Sequence, residues 1–107
     1  MAEGDAATLL RAHKQAIEAA LAANRAHQGD AAGLFLLAGL TARLERLLKA
    51  VGRDLVRPLV GGPFGTAGRW GPNGRAPEIA DLIDRSARAR RVVSEAEPRP
   101  PPARRAA

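Results

Sequence analysis

Arg43, Arg46, Lys49, Arg53 and Arg57 follow one another at intervals of three or four residues. In a helix, that spacing gathers all five within about 120° of arc. The chemistry such a row offers is binding. It can follow a phosphate backbone, each neutralised phosphate releasing counterions. A charged row of this kind also serves as a solvated face that keeps a protein in solution, and the residues alone leave both readings open. The acids of the same stretch, Glu45 and Asp54, fall at or beyond the margins of the row.

Covalent and metal chemistry lack their parts. There is no cysteine and no tyrosine, and Ser86 and Ser94 stand far along the chain from His13 and His27. Gly61-Gly62-Pro63 is followed by no GK[ST] and preceded by no strand pattern, so a P-loop is not expected. His13 and His27 are 14 residues apart, too far to chelate one ion within a chain. The expectation is a non-enzyme with no cofactor and no bound metal.

Three other features invite a partner. His13 and Asn24 interrupt an apolar helical face, where a polar residue can fix register and oligomer state. Trp70 sits among glycines and prolines. It is either an interface anchor or a cover for the apolar flank of the first helices, against Phe35. Leu34, Phe35, Leu36 and Leu37 point in four directions around a helix, so a single partner helix cannot cover them all.

These residues need elements to hold them. Few aromatic or β-branched residues and much Ala, Leu and Arg predict an all-α chain. The first helix is expected from Ala6 to His27 with Asp5 as N-cap. Its apolar face carries Leu10, Ile17 and Leu21. Gln28-Gly29-Asp30 is a break in which Gly29 can turn left-handed and Asp30 can cap the next helix. So short a link predicts a long antiparallel helical hairpin over residues 1–57.

The second helix is expected from Ala31 to Arg57, where Pro58 stops it. Leu37, Leu40, Leu44, Leu47, Leu48, Val51 and Leu55 give it a near-heptad seam. Residues 58–77 form a connector in which ten of 20 residues are Gly or Pro, a composition that predicts irregular structure. A third, amphipathic helix is expected to open at Pro77 and fill 78–97, with Ile79, Leu82 and Ile83 on its apolar face. The tail, 98–107, is Pro/Arg-rich and predicted to be disordered.

The chain has 107 residues and a formal net charge of +6, which suits an acidic partner. The excess falls on the second helix, the connector and the tail. Residues 78–97 hold four bases against five acids. The acidic start, with no basic and apolar run after it, predicts no signal peptide, no membrane association and a cytoplasmic protein.

Over Ala6 to Arg57, with Leu10, Ile17, Leu21, Leu37, Leu44 and Leu48 as the seam, the pattern resembles the oligomerisation core of small terminase subunits of tailed phages and gene transfer agents. That resemblance implies hairpins assembled into a ring that engages DNA and passes it to a large terminase ATPase. It implies that Ile79–Val93 and the tail meet that motor. The separate N-terminal helix-turn-helix of that family has no counterpart here, so DNA binding is expected to be electrostatic, with little sequence specificity.

The pattern is also similar to flagellar or type III export chaperones, which have Gly-Asp between helices, as at Gly29-Asp30, and a mobile last helix. The expected sites are therefore Arg43, Arg46, Lys49, Arg53 and Arg57 for DNA. For self-association or a protein partner they are Leu34, Phe35, Leu36, Leu37, Trp70, Ile79, Leu82 and Ile83.

Overall fold

A computed structural model describes residues 2–27, 29, 31–58, 61 and 65–96. Four helices occur in order: α1, Ala2–Arg25; α2, Ala31–Val56; α3, Thr66–Arg69; and α4, Ala76–Ala96. There is no strand among the described residues, and no helix there is long and apolar enough to cross a membrane.

The apolar periodicity of each long helix explains its packing. In α1 the inward set is Leu10, Ile17, Ala20 and Leu21, and in α2 it is Leu44, Leu47, Ala50 and Val51. Ile79 and Leu82 of α4 join the same cluster, as does Trp70 from the loop after α3. Steps of three, four and seven residues keep these side chains on one face of each helix. None of the three long helices could bury its stripe alone. Together with Trp70 they close one shared core, so α4 belongs to the body of the fold rather than lying apart from it.

Several element ends differ from expectation. The first helix begins at Ala2, so Asp5 lies inside it and does not cap it. Ala2, Ala6 and Ala7 are strong helix formers and favour the earlier start. At the other end, Ala26 and His27 form a turn in which the His27 N–H reaches Asn24 O at 3.0 Å, a tightening common where α-helices stop. Gly29 does not take the left-handed conformation. The expected cap at Asp30 falls outside the described residues.

α2 ends at Val56, two residues before Pro58. The connector is more ordered than its composition suggests, since Thr66–Arg69 makes one helical turn. The tail lies outside the described residues.

Inside the bundle, a polar cluster ties three helices together. Asn24 of α1 is fully buried. Its amide nitrogen donates to Thr41 Oγ1 of α2 at 3.3 Å and to Ser86 Oγ of α4 at 3.0 Å. Its amide oxygen accepts from the Arg90 guanidinium at 2.6 Å. A buried amide is costly unless every polar atom is matched, and here both ends of the side chain are used. The apolar-face asparagine is thus a link within the chain.

Candidate nucleic-acid interface

The five cations of the row, four on α2 and Arg57 just past its end, are all exposed. Their neighbourhood is more positive than the total charge suggests, because acids elsewhere are engaged. On α1, Lys14 pairs with Glu18. On α4, Arg85 pairs with Asp81 and Arg88 with Asp84, each one turn apart. Glu45 of α2 accepts from Arg25 of α1 at 2.8 Å. Among the described residues, none of Arg43, Arg46, Lys49, Arg53 and Arg57 has a carboxylate at ion-pair distance.

Asp54 is the instructive exception. Helical geometry puts it at the edge of the row, yet its side chain is only about one-tenth exposed. The indole N–H of Trp70 donates to Asp54 Oδ2 at 2.5 Å, and Arg69 Nε stands 3.8 Å from the same oxygen. Trp70 is fully buried and belongs to the same core cluster as Ala50 and Val51 of α2. Docking of the loop therefore takes the acid out of the row and brings two more cations to it.

Those cations are Arg69 and Arg75. Their guanidinium carbons lie 6.0 and 5.8 Å from the Trp70 ring centroid, within cation–π range. Their backbones are tied as well, Arg75 N–H donating to Arg69 O at 2.8 Å. Gly74 makes this closure possible: a Cβ there would stand 2.2 Å from Arg69 O. Trp70 is held from its other side by His13, whose Nε2 lies 2.9 Å from Trp70 O. A carbonyl only accepts, so that ring nitrogen carries the proton. The partner of His13 is thus a loop carbonyl within the chain and not a second helix.

Between α2 and this loop lies a cleft of about 260 Å³, lined by Arg43, Arg46, Arg53, Arg69, Arg75 and Glu78, with Leu47 and Ala50 at its apolar wall. Three of the five expected DNA-binding residues meet in it. Lys49 and Arg57 do not. The sequence row missed Arg69 and Arg75. The only signal for them was the charge of the connector, which gives no position.

No family model, no curated protein and no solved structure matches the chain.

The residues expected to meet a partner divide into two groups. Leu37, Trp70, Ile79 and Leu82 are buried inside the chain and are not available as a surface. A marginal core of this size recruits every large side chain. Ile83 is half-buried against the core. Leu34, Phe35 and Leu36 remain exposed, Phe35 at 88%. The alternative in which Trp70 is an exposed anchor is thereby corrected. Its place is in the core, bonded to Asp54 and beside His13.

Proposed function

We propose that this protein is a non-enzymatic DNA-binding adaptor that works as an oligomer. Its α1–α2 hairpin is the body of each subunit. Leu34, Phe35 and Leu36 supply the contact between copies. The basic side of α2 holds DNA weakly through phosphates, with little sequence preference.

The observation that carries the reading is the separation of charge. The α2 cations, with Arg69 and Arg75, stand on one side of the bundle, while most described acids are paired elsewhere or turned inward. A field of one sign over such a surface attracts a polyanion and makes its binding salt-dependent.

The role most consistent with this is that of a small-terminase-like DNA-packaging subunit, in the cytoplasm, that recruits a motor ATPase. An export chaperone would need the apolar face of α4 free for a client. Ile79, Leu82 and Val93 are instead buried, which counts against that face holding either a client or the motor.

Anisotropy of a labelled DNA duplex tests the reading. Affinity should fall steeply with salt, with a log–log slope of about −4.5 if the row meets five phosphates. Neutralising Arg46, Lys49 and Arg53 together should abolish binding. Unchanged binding by that triple variant would overturn the proposal.

A further inference from the structure

We infer that the cleft between α2 and the α3–α4 loop is a preformed site for adjacent phosphate groups, supplied by a nucleic-acid backbone or by a free polyphosphate ester. The first source rests on the DNA-binding reading above, and the second does not.

Five guanidiniums converge on one concave space whose lining includes a single carboxylate, Glu78. The second nearby acid, Asp54, is already engaged by Trp70 and Arg69. Like charges gathered in this way repel one another, and an oxyanion relieves that repulsion. Guanidinium is also the group whose planar fork matches phosphate oxygens two at a time.

The cleft differs from a row of surface arginines in being held in place. Arg69 and Arg75 both lie against the Trp70 indole. That ring is fixed by Asp54 at its nitrogen and by His13 at its backbone carbonyl. The link from Arg75 N–H to Arg69 O keeps the two cations side by side. Much of the ordering cost that long side chains incur on binding is therefore met in the fold itself. The α2 cations Arg43, Arg46 and Arg53 complete the opposite wall on a rigid helix. On this geometry, the centre of binding is the cleft, and Lys49 and Arg57 are peripheral.

The test uses the full chain and two double variants that lose equal charge: Arg46→Gln with Arg75→Gln in the cleft, and Lys49→Gln with Arg57→Gln outside it. Calorimetry with inorganic tripolyphosphate at low salt reads the cleft directly. Anisotropy with a duplex reads the DNA source. The cleft pair should lose about tenfold or more in tripolyphosphate affinity, and the outer pair clearly less.

The same ordering with duplex assigns the phosphates to DNA. Tripolyphosphate binding without duplex binding keeps the cleft, assigns it to a free polyphosphate ester, and removes the DNA reading. Equal losses in both pairs, or no tripolyphosphate binding by the unaltered chain, overturn the cleft. Duplex binding would then rest on the α2 row alone. Because Arg75 touches Trp70, Arg43→Gln with Arg46→Gln repeats the cleft test without disturbing the indole. It should show the same loss.

Discussion

The indole nitrogen of Trp70 donates to Asp54 Oδ2 at 2.5 Å, joining a glycine-rich loop to the last turns of α2. One contact thereby seats the loop, closes one end of the core and withdraws an acid from the basic side. Replacing Trp70 by Phe keeps most of the apolar bulk and removes the donor. Asp54 then retains only Arg69. The expected loss is about 1–3 kcal/mol, the cost of an unmatched buried polar group. Asp54→Asn should cost less, because an amide oxygen still accepts. Urea unfolding followed by far-ultraviolet circular dichroism measures both. An unchanged midpoint for Trp70→Phe would show that the bond does not hold the loop.

Asn24 joins α1 to Thr41, Ser86 and Arg90. Asn24→Ala leaves two buried hydroxyls without it and opens a small cavity, at a cost of about 3 kcal/mol. Removing both hydroxyls with the amide, as Asn24→Leu with Thr41→Val and Ser86→Ala, should recover part of that loss, since Thr41 and Ser86 then leave no buried hydroxyl unmatched and the half-buried Arg90 can turn to solvent. Equilibrium denaturation compares the two. A triple variant as unstable as Asn24→Ala would mean that the hydrogen bonds are not the source of the effect.

Two glycines of α2 should respond in opposite directions to alanine. At Gly39 a Cβ would meet nothing within 4 Å, so Gly39→Ala should add about 1 kcal/mol and raise Tm by about 4–8 °C. At Gly33 the Cβ would stand 2.2 Å from His27 O. Gly33→Ala must push the end of α1 away and should lower Tm. Thermal melts of both variants decide the matter, and the same sign for both would contradict the packing described.

Phe35 is 88% exposed and contributes little to its own subunit. Phe35→Ser should therefore change unfolding free energy by no more than about 0.5 kcal/mol while reducing self-association. Native mass spectrometry across a concentration series reads the assembly. An unchanged mass distribution would remove this surface from the proposed interface.

The helices themselves were legible because they are written in local terms. Leu10, Ile17 and Leu21, or Leu44, Leu47 and Val51, recur at the helical period, and that period says which side faces inward wherever the partner lies. Pro58 marks the end of α2 for an equally local reason. Trp70 could not be placed in this way. Its neighbours in sequence are turn formers, and whether an indole turns in or out depends on what waits for it. Here that is Asp54, 16 residues back, and His13, 57 residues back.

For the same reason Arg69 and Arg75 could be counted as charge but not located, and Asp54 looked like a surface acid. Local periodicity and composition determined that the chain is helical, which faces are apolar and that α2 carries a row of cations. Tertiary packing alone decided that Trp70 would turn inward and bond to Asp54, and so that the row would become one wall of a cleft. A helical period constrains only residues on one helix. The meeting of three segments depends on which distant polar groups satisfy one another once they are buried together.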